Sequence, residues 1–250
     1  MAKFSGNCRL CDADKVLCKS HIISKAIFRD AMSNDLNRGL SMYTEQRIEN
    51  GKMAGEYEYL LCRDCEDVVG EYDDYGIKFL RRTVGTRLAM LNGETVPDDV
   101  DLLSQIDLEK LMLFIVSVLW RASISSREFY SNVKLGPHEL IAKRIIRKEL
   151  ALTKDLFPFF ISRYSGLYVA GKIIINPVML RINGLIFYNL NMNGFNVSVK
   201  VGQRNLRPPL DLVWEILTDM DIVLVYERNF IGSREYVALK RLVQTARAGR

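Results

Sequence analysis

Cys8-Arg9-Leu10-Cys11 and, far along the chain, Leu60-Leu61-Cys62-Arg63-Asp64-Cys65 are the stretches whose reading decides how this protein folds. Each sets two thiols three positions apart, so that both sulfurs can turn toward one ion. The sequence has five cysteines, and four of them stand in these pairs. Matched Cys-x-x-Cys pairs so widely separated read as metal ligands in a reducing compartment rather than as disulfide partners. Four thiolates suit a closed tetrahedral zinc site, so Cys8, Cys11, Cys62 and Cys65 are expected to hold a structural zinc ion. The fifth, Cys18, is expected to pack as a small apolar residue in a strand.

Reading outward from the first pair, residues 5–20 predict a knuckle, with Lys15-Val16-Leu17-Cys18 extended and leading to His21. Apolar residues at helical spacing predict a short helix from Ile22 to Met32, and the polar run 33–39 a loop. Arg47-Ile48-Glu49, an Asn50-Gly51 turn and the run Glu56 to Leu61 predict a hairpin that delivers the chain to Cys62. A long helix is expected from Arg63. Knuckle, hairpin, then a helix opening on the second cysteine pair is the order of a treble-clef finger.

Beyond it, the acidic, proline-containing run from Asn92 to Asp101 marks a domain boundary, giving a finger domain over 1–92 and a second domain over 93–250. Asp107 can cap an apolar helix from Leu108 to about Ser123 that must be buried nearly all round. A second helix is expected from Glu139 to Leu152. Residues 157–227 turn to strand patterning, with an Asn193-Gly194 hairpin turn and a helical interruption at 210–217. Ser233 can cap a last helix from Arg234 to about Ala248. The fold class expected is therefore α+β: a treble-clef zinc finger, a helical middle, and an antiparallel β region with a terminal helix.

Charge narrows the partners only a little. There are 35 basic and 30 acidic side chains, with a pI near 8.9, a mild excess that permits a polyanion partner. The most apolar run, Leu111 to Trp120, is too short to cross a bilayer. Residues 1–6 show no apolar core of an export signal, so a cytoplasmic protein with no membrane contact is expected.

The finger segment, about residues 8–75, resembles the four-cysteine branch of the HNH nucleases. The likeness rests on the two cysteine pairs, on Ser20-His21-Ile22-Ile23 between them, and on Leu60-Leu61 before Cys62. What the resemblance implies is a DNA endonuclease with structural zinc. His21 would be its general base, oriented by Asn37 (or by Asn34 or Asn50), with a nearby Mg or Mn ion for hydrolysis. Three positions differ from the family pattern. Ser20 stands where the family has a metal-ligating acid or histidine, Ser24 where it has proline, and Glu66 where it has a metal-binding histidine. Glu66, alone or with Asp67, is a sound ligand for a hard cation.

Other readings stand beside these. His21 can pack in the finger without doing chemistry, or serve as an alternative zinc ligand. Glu66, Asp67, Glu71, Asp73 and Asp74 can form a solvated acidic helix face. Lys143, Arg144, Arg147 and Lys148 form a basic helix face, either solvated or contacting nucleic acid. His138 is expected to cap a helix or lie at the surface. The alternative to the nuclease is a non-catalytic zinc-finger module that binds nucleic acid or a protein partner. A defence or toxin-type effector that engages a protein partner through its C-terminal β region is a further expectation.

Overall fold

The computed structural model describes residues 4–32, 40–43, 47–50, 56–165 and 173–248. The chain is α+β. Its N-terminal unit is a three-stranded sheet of β1 (Ser5–Asn7), β2 (Asp14–His21) and β5 (Tyr57–Cys62), with β2 in the centre. Helix α1 (Lys25–Met32) follows β2, and helix α2 (Arg63–Leu80) leaves β5 directly. Asp64 and Glu66 in the first turn of α2 suit the positive end of its dipole.

The pairing of β5 differs from the expected hairpin. β4 (Arg47–Asn50) pairs antiparallel with β3 (Leu40–Tyr43), while β5 pairs antiparallel with β2. An Asn-Gly turn is a local signal, whereas the apolar Leu60-Leu61-Cys62 end of β5 is buried only by lying against β2 and the knuckle. Asn50 closes β4 opposite Leu40, and Asn34 and Asn37 lie outside the described residues.

The acidic run after α2 is not a bare linker. After β6 (Thr86–Leu88) and β7 (Met90–Leu91), it holds strand β8 (Glu94–Thr95) and the start of β9 (Val100–Ser104). Helix α3 (Leu108–Ile124) is buried from Leu111 to Ser123, and Asp107 caps it by accepting the Lys110 N–H at 3.0 Å. Helix α4 (His138–Ile146) is shorter than expected, because the chain turns out of it with Lys148 at φ 57°.

The remaining elements are β10 (Phe159–Ser165), β11 (Ile173–Ile175), β12 (Val178–Ile182), β13 (Leu185–Met192), β14 (Phe195–Val201), α5 (Leu210–Asp219), β15 (Val223–Asn229) and α6 (Arg234–Ala248). Seven strands form one sheet in the order β12-β13-β14-β10-β15-β9-β6. It is mixed rather than antiparallel throughout, since β10 and β15 run parallel. A second parallel pair, β11 with β3, ties the C-terminal half to the segment between the cysteine pairs.

One continuous core joins both halves. Val69 and Phe79 of α2, Phe114 and Trp120 of α3, and Val197 and Val225 of the large sheet belong to a single buried cluster, with Phe79 and Phe195 rings 6.2 Å apart. Packing of this kind crosses residue 92, the boundary expected from composition. Helix α2 approaches α3 at Gly76, where a Cβ would stand 2.2 Å from the Phe114 ring. On the other side of the large sheet, Trp214 of α5 meets Phe160. Tyr236 of α6 meets Phe230, which lies against Tyr164.

Candidate functional site

The knuckle is closed by its backbone. Cys8 N–H donates to the Ala13 carbonyl and Asp12 N–H to the Cys8 carbonyl, with Asp12 at φ 62°, a left-handed conformation that Asp tolerates better than most residues. Arg9 N–H then donates to the Leu60 carbonyl, which brings the knuckle onto β5. All four Sγ atoms of Cys8, Cys11, Cys62 and Cys65 lie within 4.8 Å of one another. Cys11 and Cys62 are separated by 3.9 Å, close to the ~3.8 Å edge of a sulfur tetrahedron with ~2.3 Å metal–sulfur bonds. The four sulfurs are therefore placed to hold a metal ion, and four soft thiolate donors suit zinc. Among the described residues, no other set of three or more His, Cys, Asp or Glu side chains comes this close together.

The thiols are unequal. Burial pushes Cys8 up, but hydrogen bonds from the backbone N–H groups of Cys11, Cys62 and Leu10 outweigh it and bring Cys8 down to about 7. Burial pushes Cys62 and Cys65 up, and neighbouring thiols add to the rise at Cys65. A metal bound here must displace protons from the thiols that hold them. Cys18 is half-buried in β2, where the register against β5 shifts between Leu17 and Lys19. That irregularity lets Leu17 and Ser20, three positions apart, both face inward.

Ser20 is fully buried and its hydroxyl makes two bonds. It donates to Glu66 Oε2 at 2.7 Å and accepts the Leu61 N–H at 3.1 Å. The strand residue before His21 thus touches the helix residue after Cys65. Glu66 is half-buried. Burial pushes its carboxyl above the ordinary 4.5, opposed by the Ser20 hydroxyl and by the Arg121 charge. Asp67 is exposed and stands 3.9 Å from Arg63.

His21 ends β2 half-buried, with its ring centroid 5.9 Å from that of Tyr57 across the strand pair. Lys19, two residues back, places Nζ 4.9 Å from the same tyrosine ring. The backbone of His21 is held from the core: its carbonyl accepts Arg121 Nη1 at 2.7 Å. Arg121 is 1% exposed within the apolar helix α3 and makes a two-toothed pair with Asp73 at 2.5 and 3.0 Å. Burial pushes the Asp73 carboxyl up, the guanidinium pulls it back, and the imidazole of His21 adds a smaller pull in the same sense.

Asp73 is therefore not part of a solvated acidic face, which Glu71 and Asp74 do supply. A buried arginine demands a partner. That demand was the available signal for this pair, a lone charge inside the run Leu111 to Ser123. A neighbouring anchor joins the same strand pair to the end of α3, where the Glu58 carboxylate accepts from the Ser125 and Ser126 hydroxyls and from the Ser126 N–H.

The basic face of α4 is divided. Lys143 reaches Asp12 at 2.6 Å, and Arg147 reaches both the Leu10 carbonyl and Asp12, so these two dock α4 onto the knuckle. Arg144 and Lys148 face solvent. His138 opens α4, and burial together with the Lys200 charge holds its imidazole below the ordinary 6.5. No helix among the described residues is long and apolar enough to cross a membrane.

Comparisons of the chain with protein-family models, with curated proteins and with solved structures found no match.

Proposed function

We propose that this chain is a zinc-clamped, HNH-like endonuclease that hydrolyses phosphodiester bonds in DNA, with His21 as its general base. The observation that carries the reading is the 2.7 Å hydrogen bond between Ser20 and Glu66. It joins the strand end that bears His21 to the first turn of α2, at the two positions where the resembled family holds its hydrolytic ion. Zinc in the four sulfurs would be structural, because a closed tetrahedron leaves no open position for water.

His21 takes a proton from the attacking water, a task suited to an imidazole. The bond from Arg121 to its carbonyl fixes where the end of β2 stands. Lys19, on the same stretch of β2, offers an exposed ammonium for a phosphate. A Mg or Mn ion, when bound, neutralises charge on the leaving oxygen. Glu66 is the carboxylate this chain offers it; such ions commonly take one or two carboxylates and complete their shell with water and phosphate.

A second reading starts from the same bond. The Ser20 hydroxyl is fully buried and already bonded to Glu66 and to Leu61. Under that reading the finger is a non-catalytic module that binds nucleic acid or a protein partner. One experiment separates the two: supercoiled plasmid incubated with Mg or Mn, wild type beside His21→Ala and Glu66→Ala. The nuclease reading predicts nicking by wild type that falls at least 100-fold in His21→Ala. Binding without nicking by the wild type would leave only the module.

A further inference from the structure

A second site lies far from the cysteines in sequence, in the β13–β14 hairpin beneath α6. Asn191 and Asn196 sit directly opposite each other in that hairpin and are 5% and 2% exposed. Both line a cavity of about 160 Å³, walled by Ile175, Val178 and Leu180 and bordered by Arg234, Glu235 and Ala238 of α6. The polar atoms facing this space are unusual for a protein interior. Both amide atoms of Asn191 and the Oδ1 of Asn196 are buried without a hydrogen-bond partner among the described residues, and beside them the buried carboxyl of Glu235 interacts with the Tyr164 hydroxyl.

Other polar groups nearby are satisfied. Asn196 Nδ2 donates to the Tyr164 hydroxyl at 3.4 Å, and Asn189 accepts from Ser198 at 2.7 Å. An unpaired buried polar group is destabilising, so two asparagines left in this state on facing strands, beneath a helix that adds a carboxyl to the same cavity, form a built recognition surface rather than a packing defect.

The open groups define the ligand. They comprise one amide donor, Asn191 Nδ2, against two amide acceptors, Asn191 Oδ1 and Asn196 Oδ1, with the Glu235 carboxyl, shared with the Tyr164 hydroxyl, as a third acceptor beside them. A matching molecule presents several N–H groups beside one acceptor. It is small enough for about 160 Å³ and flat enough to lie between apolar walls. Arg234 also lines the cavity, and its positive charge disfavours a cationic ligand, so a neutral one is favoured. The exocyclic amine edge of a nucleobase has this pattern: an NH₂ next to a ring nitrogen or carbonyl. We propose that the cavity between the β13–β14 hairpin and α6 binds an amino-bearing nucleobase, read by Asn191, Asn196 and Glu235.

The site stands apart from the proposed hydrolysis and needs neither the zinc cluster nor His21. Its test uses the full chain and follows binding by calorimetry and by saturation-transfer NMR, with cytosine and adenine as probes and uracil, which lacks the amine, as control. The same bases within a short single-stranded oligonucleotide form a second arm, separating a free base from a base carried on a strand. Expected is binding of cytosine or adenine at least 10-fold tighter than uracil, reduced at least 10-fold in Asn191→Leu.

Asn191→Leu should fold as well as the wild type, since it removes two unpaired groups. Should it not, Glu235→Gln keeps the shape and turns an acceptor into a donor, which should shift preference toward uracil. Absence of binding in both arms, equal binding of uracil, or binding unchanged by both variants would overturn the proposal.

Discussion

Replacing Arg121 by methionine removes the one group that joins α3, α2 and the end of β2. The guanidinium is 1% exposed and donates to both Asp73 oxygens, to the His21 carbonyl at 2.7 Å and to the Ser117 carbonyl at 3.2 Å. Methionine fills much of the volume and offers no donor. Asp73 is then left as an uncompensated buried carboxylate, and loss of one partner from such a pair costs about 3–5 kcal/mol. For a chain of this size, 1 kcal/mol is worth roughly 2–4 °C, so the midpoint of thermal unfolding should fall by roughly 6–20 °C.

Two further results follow from the same geometry. With Arg121 gone, burial raises the Asp73 carboxyl further above its ordinary 3.8, so the folded variant binds a proton that the unfolded chain does not. Its deficit against wild type should therefore shrink as pH falls from 7 toward 5. The double variant Arg121→Met/Asp73→Leu should recover most of the loss, because a buried ion pair replaced by apolar residues is often neutral. Urea unfolding of the four proteins, run as a double-mutant cycle at pH 7 and pH 5, measures all of this. A loss below about 1 kcal/mol for Arg121→Met, or no recovery in the double variant, would refute the buried pair as the anchor of His21.

Gly76→Ala should destabilise by about 1–3 kcal/mol in urea, since the added Cβ would lie 2.2 Å from the Phe114 ring, and Phe114→Leu in the same chain should relieve part of the cost. Glu58→Gln should cost about 2 kcal/mol at pH 7, as three hydrogen bonds lose their charged acceptor. Burial raises the Glu58 carboxyl, but the bonds from Ser125 and Ser126 outweigh it and hold the group below 4.5. Its contribution is therefore full above pH 4.5 and is lost as pH falls through the depressed value, an acid sensitivity that Glu58→Gln should lack in pH-dependent melting. Lys143→Ala should loosen α4 from the knuckle, seen as faster amide exchange around Asp12 without loss of the large sheet.

How far the sequence foretold this molecule depended on the range of each signal. Local signals held. The cysteine spacing placed four sulfurs together, and Asp107 caps α3. The Asn193-Gly194 pair takes φ of 50° and 80° in the hairpin turn between β13 and β14, and the Ser233 hydroxyl accepts the Tyr236 N–H at the start of α6. Signals that depend on distant partners were silent or misleading. Residues 50 and 51 suggested a hairpin with β5, yet β5 finds its apolar partner in β2, more than thirty residues away.

The parallel pairs β10–β15 and β11–β3 leave no local mark, because parallel strands are joined by long connections. The polar run after Leu91 hid two short strands, β8 and β9, the second of which lies between β15 and β6 in the large sheet. At the candidate site, His21 and Glu66 were singled out from the sequence and lie near one another through Ser20, while Arg121 and Asp73 were not paired in the reading. Each lies in a helix whose pattern says only which face is apolar, and nothing local says that one charge meets the other across 48 positions.

Everything at the N-terminal site depends on the four sulfurs closing on one ion, so metal content of the full chain purified without added metal is the most direct measurement. Elemental analysis should find one zinc per chain in the wild type and none in Cys8→Ser/Cys62→Ser, whose finger should then unfold ahead of the rest. A wild-type protein that is folded through residues 8–75 yet carries no metal, or a double variant that keeps a full equivalent, would contradict the account.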